Sequence, residues 1–531
     1  MVSTLQQHKL TTNRTKTSRL ERLNEDCIAL VLAYLSNSSL ISLAATSKPL
    51  HKHAQPALVR APSFSTSNPS RITAFCALIS THTPSLAPSI HALTLLHDAF
   101  DDTPTAPFIA ALPALAAVLA SATSLTALRI PIYADALLAA CPALAARAPS
   151  WHLELGGLDS ARSPWLAAHP PTGLRALSLG FTAAEPHALR LAAPSAHALV
   201  RLALSGAQDE SMPIAFSPPT EEGAPVPVPV FAQLRMLSLS YVATTLAALA
   251  HFFPRVRVVS TRWAELADST EGGGEGGQVR LSELLAANGA MDGVLLLLAQ
   301  PSVRLVRLHE WFSTRGEFAL FVARARKADL RSVSLLVHVC TEVQNYEDAD
   351  GGGGGKEDEL EGVPPGTLPL EHFFAELVRA APELSYLELD FTPWFPHREV
   401  GTMPEAENWA SWDAIANSAI AHLSALAHLR FLTLRFPTTY DEDDDDEDDD
   451  VPTQSPEVHF HGLAARVLAA LPRAEYVFVE MTPFEECVGR GGRVVEPWGE
   501  EGLALRRWYQ FEGADGRLAG VGEWLDDVDG L

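Results

Sequence analysis

A short apolar phrase recurs along most of this 531-residue chain and constrains its fold more than any other feature. It has the form L-x-x-L-x-L, with some leucines replaced by Val, Ile or Ala. Its copies are IHALTL (90–95), LTALRI (125–130), LRALSL (174–179), LVRLAL (199–204), LRMLSL (234–239), VRLVRL (303–308), LRSVSL (330–335), LSYLEL (384–389), LRFLTL (429–434) and AEYVFV (474–479), with weaker copies SWHLEL (150–155) and VRVVS (256–260). The middle apolar residues of three copies, Leu153, Leu177 and Leu202, lie 24 and 25 residues apart. Such a period indicates repeats that stack on one another.

Amphipathic helical segments lie between the copies, among them Leu370–Ala381, Trp409–Ala427 and Val458–Leu471. Several end at a proline directly before the next copy, as at Pro382 and Pro472. Proline ends a helix and favours an extended chain around it. Helix and short strand in alternation predict parallel strands with the helices outside. One repeat cannot bury its apolar face alone, so neighbouring repeats must close a continuous core.

This pattern resembles a leucine-rich-repeat array. The resemblance implies an α/β fold, an irregular solenoid over residues 71–511 whose parallel strands line a concave face. The asparagine that commonly follows the strand in that family is absent from nearly every copy. Residues 512–531 read as an acidic C-terminal tail. Four polar, acidic or glycine-rich stretches cannot build a core, and we expect them to be mobile loops: 207–230, 268–278, 347–366 and 438–457.

Strand alternation assigns side chains to faces. The second and third apolar residues of each phrase should face the core, and the residues between them the concave surface. Early copies carry small residues there, whereas late copies carry aromatic and charged ones, which are typical of protein interfaces. We therefore expect a protein substrate to bind Tyr386, Glu388, Asp390, Phe431, Arg435, Tyr476, Phe478 and Glu480. The alternative is that the final helices, or the segment 508–511, fold over these residues.

A capped helical unit precedes the array, at residues 23–60. Three short helices are predicted there, the first capped by Asn24 and the third having Pro49 in its first turn and ending at Pro56. A helical piece of about 40 residues rarely buries enough surface to fold without a metal, a disulfide or a partner. Cys27 is its only cysteine. Its apolar residues must therefore be covered by the rest of the chain or by a second protein.

The unit resembles an F-box. Leu23, the run Ile28, Leu32 and Leu35, the pair Leu40 and Leu43, and the group Ser47, Leu50 and Pro56 carry the resemblance. Asn24 and Ser39 depart from the family's common Pro and Asp, although both are capping residues. The resemblance implies an F-box domain over 19–62 that docks on the Skp adaptor of a cullin–RING (SCF) ubiquitin ligase. The adaptor-binding residues it implies are Leu23, Ile28, Leu32, Leu35, Leu40, Leu43, Ser47 and Leu50.

Composition excludes several other classes of function. A formal net charge of −25 argues against nucleic-acid binding, which needs basic surface. Five scattered cysteines are typical of reduced thiols in a cytoplasmic or nuclear protein. Residues 1–18 read as a disordered leader rather than a targeting segment. The uncharged stretch 103–128 is long enough to cross a bilayer, but its alanines and prolines favour a soluble helix over a membrane span.

No pattern in the sequence indicates catalysis. The polyglycine stretches lack the lysine of a phosphate-binding loop, and His459 and His461 lack further metal ligands nearby. We therefore predict neither catalytic residues, nor a metal, nor a cofactor. The expected function is that of a substrate-recognition subunit, a non-catalytic adaptor in ubiquitin-dependent protein degradation. The alternatives are a leucine-rich-repeat interaction scaffold without a ubiquitin role and, more distantly, an enzyme with an unrecognised site in the insertions.

Overall fold

The architecture was determined from a computed structural model of the chain. It describes residues 27–28, 31–32, 35, 37–65, 67–96, 106–130, 134, 152–158, 172–181, 188–206, 214–216, 229–262, 264–267, 280–340, 368–393, 405–436, 462–481, 484–491 and 493–495. The chain divides into two compact units, residues 1–180 and residues 181–531. Both units mix helices with strands that pair mostly in parallel, an arrangement consistent with a repeat solenoid.

Unit 1 begins with helices and continues as alternating strand and helix. Its helices are α1 (Asn37–Thr46), α2 (Lys48–Leu58), α3 (Pro69–Ala77) and α4 (Ala106–Ala120), with a π turn at Leu78–His82 and a 3-10 turn at Pro84–Ser89. Its strands are β1 (Ser63–Ser65), β2 (Ala92–Leu96), β3 (Ala127–Ile130), β4 (His152–Leu158) and β5 (Ala176–Phe181), the last of which crosses the unit boundary. The pairs β1–β2, β2–β3 and β3–β4 are parallel.

Unit 2 contains the longer series of strands. These are β6 (Arg201–Ser205), β7 (Ile214–Phe216), β8 (Met236–Ser240), β9 (Val242–Thr245), β10 (Val258–Arg262), β11 (Glu265–Ala267), β12 (Ala286–Gly289), β13 (Leu305–Trp311), β14 (Ser332–Cys340), β15 (Leu368–Pro369), β16 (Tyr386–Pro393), β17 (Phe431–Arg435), β18 (Tyr476–Met481), β19 (Phe484–Gly489) and β20 (Arg493–Val495). Its helices are α5 (Ala188–Ala192), α6 (Leu246–Phe252), α7 (Met291–Leu298), α8 (Arg315–Ala325), α9 (Leu370–Ala380), α10 (Glu405–Leu423) and α11 (Leu463–Ala470), with a 3-10 turn at Ala193–Ser195.

One parallel series runs through unit 2 in the order β6, β8, β10, β12, β13, β14, β16, β17 and β18. β19 then pairs antiparallel with β18, and β20 antiparallel with β19. β7, β9 and β11 form a separate small sheet. Each repeat therefore adds one parallel strand to the sheet, and equivalent residues of successive repeats lie side by side.

The repeated leucines form the core, as the sequence predicts. In β17, for example, Leu432 and Leu434 are fully buried, and the first apolar residue of that copy, Leu429, is 2% exposed. On the helix side of unit 2 the core is rich in phenylalanine, since Phe312 contacts Phe318 and Phe321, and Phe373 contacts Phe391. Burying a side chain of this size is worth about 1.5–3 kcal/mol. The apolar phrase thus supplies both the strand and the core residues of each repeat.

A close approach between β10 and α7 requires glycine. Gly289 has φ of +133°, and a Cβ there would lie 1.8 Å from the carbonyl oxygen of Thr261. Gly293, in the first turn of α7, would place a Cβ 2.6 Å from Oγ1 of Thr261. Since Thr261 is fully buried, it has no room to move aside. Both glycines let the helix begin against the neighbouring strand.

Several sequence expectations need correction. α2 continues through Pro56 to Leu58 instead of ending at the proline, and Pro49 lies in its first turn as predicted. The stretch 207–230, expected to be a loop, contains strand β7. The other three expected loops, the leader and the acidic tail lie outside the described residues. Of the first helix predicted in 23–60, the described residues 27–28 and 31–32 are helical.

Further strands were not recognised in the sequence, among them β12, β19 and β20. β12 belongs to a repeat whose phrase, LSELLAANG, has alanines where the pattern expects leucines. β19 and β20 form an antiparallel hairpin that does not follow the repeat pattern. They extend the sheet beyond its last recognised repeat.

Candidate functional site

The face of the unit 2 sheet opposite the leucine side is here called the polar face. Register places one of its residues on each successive strand from β8 to β19: Ser238, Ser260, Asn288, Arg307, Ser334, Glu388, Thr433, Phe478 and Cys487. The row carries hydroxyl, amide and guanidinium groups as far as Ser334, then the carboxylate of Glu388, the hydroxyl of Thr433 and two apolar residues. Residues predicted to bind substrate lie at its β16–β18 end. The sequence therefore assigned these residues to the correct face.

Aromatic residues at that end form a buried cluster rather than an exposed surface. Tyr386 and Phe431 stack with centroids 4.9 Å apart, and Phe431 lies 4.8 Å from Phe478. All three rings are at most 1% exposed, and Tyr476 packs against them partly buried. The expectation that Tyr386, Phe431 and Phe478 are displayed on the surface is wrong in this structure.

The antiparallel hairpin contributes two further residues to this cluster. Cys487 of β19 and Val495 of β20 belong to the same cluster as the three rings. These two residues extend the cluster of aromatic rings onto the next two strands. The sequence argument expected either an open surface here or a cover from the final helices or residues 508–511. Those last residues lie outside the described part of the chain. The hairpin was missed because its sequence lacks the repeated leucines.

A charge network lies beside the cluster. Arg435, on the central strand β17, forms ion pairs with Glu388 of β16 at 2.7 Å and with Glu480 of β18 at 2.8 Å. The hydroxyl of Tyr386 donates a hydrogen bond to the second carboxylate oxygen of Glu388 at 2.8 Å. Both oxygens of Glu388, which is only 5% exposed, are thus satisfied. The three charged residues come from three adjacent strands and hold one another in place.

The pKa of Arg435 reflects this setting. Burial acts to lower it, but the carboxylates of Glu388 and Glu480 raise it by more, so the net pKa lies above its ordinary value. The guanidinium therefore stays charged at any physiological pH. Its single positive charge balances the charge of one carboxylate, whereas two carboxylates, those of Glu388 and Glu480, pair with it.

Asp390 is the carboxylate that the network leaves unsatisfied. It lies in register with Arg435, yet no hydrogen bond or ion pair to it occurs among the described residues. Burial raises the pKa of Asp390, Glu480 and Glu388 raise it further, and Arg435 lowers it. Three carboxylates thus surround one guanidinium. With every group ionised, the group formed by Glu388, Asp390, Arg435 and Glu480, here called the acid end, carries two negative charges in excess.

Two apolar residues continue the row of the acid end toward β13. Leu336 is in register with Asp390, and Trp311 with Leu336. Trp311 is 50% exposed although it is a large apolar residue, and Leu336 is half-buried. The register between β13 and β14 shifts just before Trp311, so the strand pattern did not predict this placement.

The polar face also holds buried acceptors without partners. Oδ1 of Asn288, a residue 4% exposed, and Oγ1 of Thr433, fully buried, make no hydrogen bond in the described structure. Thr433 lies in register between Glu388 and Phe478, two residues before Arg435 on the same face. Leaving such a group unpaired costs about 1–3 kcal/mol. The polar face has thus retained hydrogen-bonding capacity that its own residues do not use.

The residues predicted to bind the adaptor lie in a small helical core. Ile28, Leu32 and Leu40 are buried against one another, with Leu35 and Leu43 packed partly buried around them. Leu50 is also buried. Ser47 is the N-cap of α2 and accepts a hydrogen bond from the backbone of Leu50 at 3.3 Å. Leu23 lies outside the described residues.

The surface of this helical unit carries apolar residues that the sequence argument did not single out. Ile41 is 60% exposed and Val31 is 37% exposed. They are the immediate sequence neighbours of the buried Leu40 and Leu32. The predicted set therefore mixes buried core residues of the unit with half-buried ones, whereas Ile41, outside that set, is the most exposed large apolar residue described in the unit.

Sequence reasoning also missed an ion-pair ladder at the amino-terminal ends of the unit 2 strands. The second residue of the phrase is often arginine, and an acid often precedes the phrase. Arg235 pairs with Glu283 at 2.7 Å, Arg331 with Glu383 at 3.2 Å, and Arg430 with Glu475 at 2.5 Å. The signal was present in the arginine that follows the first leucine of LRMLSL, LRSVSL and LRFLTL, and in the acids Glu283, Glu383 and Glu475 near the start of later repeats. This edge is here called the arginine ladder.

The described residues contain no group of His, Cys, Asp and Glu that could hold a metal ion. Cys27, Cys76 and Cys487 form no disulfide, and burial raises the pKa of the Cys76 thiol to about 11. Within the described helices, none is both long and apolar enough to cross a membrane. The uncharged stretch 103–128 instead supplies α4, whose Phe108 and Leu112 are fully buried.

Comparison with known proteins adds little. No family model matches the sequence, and no curated protein matches it. Among solved structures, one described as "Crystal structure of TLR13-ssRNA13 complex" is similar at 12% sequence identity, with a TM-score of 0.29. The match covers 80% of this chain and 55% of that one, so the chain spans about half the length of the structure it matches. A likeness at this TM-score supports no conclusion about function.

Proposed function

We propose that this chain is an F-box, leucine-rich-repeat substrate receptor of an SCF-type cullin–RING ubiquitin ligase, acting in the cytoplasm or nucleus. Its amino-terminal helices bind the Skp adaptor, and its repeat region binds a target protein. Ubiquitin transfer belongs to the associated subunits, and this chain contributes proximity between target and ligase. It has no catalytic role of its own and needs no cofactor.

One observation supports the proposal above the others. The helical unit buries Ile28, Leu32 and Leu40 in a core of its own, yet presents Ile41 largely exposed in the adjacent helix α1. An exposed isoleucine costs about 1.5–3 kcal/mol relative to a buried one. A partner that covers it would recover that free energy.

The repeat region supports the second half of the proposal. Each of its strands offers different side chains at equivalent positions of the polar face, because register aligns one residue per strand. Such a row varies the chemistry of one face of the sheet from strand to strand, as stacked repeats do. The repeat copies, rather than any catalytic constellation, are the feature that a receptor requires.

Co-expression of the full chain with a Skp adaptor tests the proposal. We expect a stable complex that survives gel filtration. Ile41→Asp should weaken it at least about tenfold, since losing about 1.5 kcal/mol of burial already corresponds to that factor. Ala45→Asp, at an exposed small residue of the same helix, is the matched control and should retain binding.

Leu32→Asp is unsuited to this test, because Leu32 is 4% exposed and the substitution would disrupt the helical core. Absence of any complex with the wild-type chain would contradict the proposal and favour the scaffold alternative. So would a complex that Ile41→Asp and Ala45→Asp leave equally intact.

A further inference from the structure

We propose that the acid end of the polar face, together with Trp311 and Leu336, binds an extended target segment that carries lysine or arginine. This inference deepens the proposed function by naming the chemistry of the target and rests on the repeat region being the target-binding part. The occupant is a segment of another protein, recognised by its positive charge and by apolar side chains beside it.

Charge complementarity is the first argument. Among the described residues of β16–β18, the carboxylates of Glu388, Asp390 and Glu480 lie around one guanidinium, that of Arg435. Asp390 has no ion pair or hydrogen bond among the described residues, and its neighbours disfavour its ionised form. A lysine or arginine from a partner would supply the counter-charge that this carboxylate lacks. A phosphorylated or acidic segment would be repelled.

A buried hydroxyl provides an independent second argument. Oγ1 of Thr433 has no hydrogen-bond partner and lies within the acid end, in register with Glu388 and two residues from Arg435. A threonine hydroxyl can accept a hydrogen bond from an ammonium or guanidinium group. The buried hydroxyl thus leaves an unused hydrogen-bonding group beside the carboxylates, on the same face of the sheet.

The shape of the row favours an extended segment. Trp311, Leu336, Asp390, Arg435 and Glu480 occupy one position on five adjacent strands. At about 4.8 Å between neighbouring strands, the row is about 19 Å long, which an extended chain covers with about six residues. The half-exposed Trp311 offers an apolar contact at one end and can stack against a basic side chain. The acids lie at the other end.

Binding of fluorescent peptides to the full chain, followed by fluorescence anisotropy, tests the inference. The probe is a peptide of about eight residues in which Lys and Leu alternate. Two matched peptides replace every Lys by Gln or by Glu. We expect the Lys peptide to bind at least about tenfold more tightly than the Gln peptide, and the Glu peptide not to bind.

Variants of the chain locate the binding. Asp390→Asn combined with Glu480→Gln should weaken Lys-peptide binding by about tenfold or more, and Trp311→Ala by a few-fold. The matched control removes two carboxylates on the helix side, Asp413→Asn with Glu376→Gln, and should bind as the wild type does. Since the chain is acidic throughout, a second control replaces the ten acids of 441–450 by Ser and Gly.

Equal binding by the Asp390/Glu480 variant and the Asp413/Glu376 variant would overturn the inference. So would loss of binding when the run 441–450 is replaced. Capture of the Skp adaptor, measured on the same variants, keeps the two proposals apart. If the wild-type chain captures the adaptor but does not bind the Lys peptide, only this inference is refuted. If it binds the Lys peptide but does not capture the adaptor, only the ligase role is refuted.

Discussion

The two ends of the unit 2 strands carry opposite kinds of electrostatics. In the arginine ladder at the amino-terminal ends, Arg331 and Glu383 pair with side chains 31% and 44% exposed. At the acid end, Arg435 and Glu388 pair with side chains 23% and 6% exposed. Exposed pairs are weak because water and salt screen them, whereas a buried pair broken on one side leaves an uncompensated charge.

This difference distinguishes the arginine ladder from the acid end. In the arginine ladder, Arg235, Arg331 and Arg430 each pair with an acid of a later repeat. The acid end concentrates three carboxylates around one guanidinium and places a half-exposed tryptophan on the same row. The comparison teaches that two positions of one repeat, at opposite ends of its strand, can place charges in different settings: exposed pairs at one end and a buried network at the other.

The largest expected effect comes from removing the central cation of the acid end. Arg435→Gln leaves Glu388 buried without its counter-charge, so we expect the free energy of unfolding to fall by about 3–5 kcal/mol. Urea denaturation measures it. Arg430→Gln, in the exposed arginine ladder just before the same strand, is the control and should cost less than about 1 kcal/mol. Equal losses for the two variants would show that burial does not distinguish the two ends.

A smaller effect concerns Asp390 and depends on pH. Its pKa is raised in the folded protein, so the folded state binds more protons than the unfolded state between the unfolded pKa, about 3.9, and the folded one. The contribution of Asp390 to stability is thus present below that window and is lost as pH rises through the folded pKa. In the Asp390→Asn variant this loss of stability with rising pH does not occur, because asparagine does not titrate.

The variant should therefore gain stability relative to the wild type as pH rises through the window, and then keep a constant advantage. Thermal denaturation at a series of pH values measures the difference in Tm. A difference that stays flat with pH, or that falls as pH rises, would contradict the assignment of Asp390 as the unsatisfied carboxylate.

The smallest effect is expected in the arginine ladder itself. Arg331→Gln removes pairs with Glu383 and Asp329, whose side chains are each more than 40% exposed. We expect the free energy of unfolding to fall by about 0.2–1 kcal/mol at low salt. The loss should be smaller at about 1 M salt, where charges more than about 3 Å apart are largely screened from each other. Denaturation at the two salt concentrations measures it. A loss of several kcal/mol that salt leaves unchanged would place the ladder among the structural determinants of the fold.

The repeat core could be predicted because its signal is local and repeated. Leu387 and Leu389 in β16 follow the same alternation as Leu432 and Leu434 in β17, and a period of two fixes the face of each side chain. Alternation also placed Glu388 and Arg435 on the polar face. Residues whose role follows from their own strand were thus assigned correctly.

Exposure could not be predicted in the same way, because it depends on what lies next to a strand. Tyr386, Phe431 and Phe478 have the alternation of surface residues, but they stack across neighbouring strands, and Cys487 and Val495 of a non-repeating hairpin extend their cluster. The contribution of Trp311 depends on a register shift that leaves no mark in its own sequence.

The most direct test of the account is whether one chain holds adaptor and basic segment at the same time. Sedimentation velocity, detected through a fluorophore on the Lys–Leu peptide, follows the peptide with the full chain alone and with added Skp adaptor. We predict that the peptide sediments with the chain and moves to the larger coefficient of the adaptor complex when adaptor is present. A peptide that is released by the adaptor, or that sediments unchanged while the adaptor remains unbound, would contradict a receptor with two separate binding surfaces.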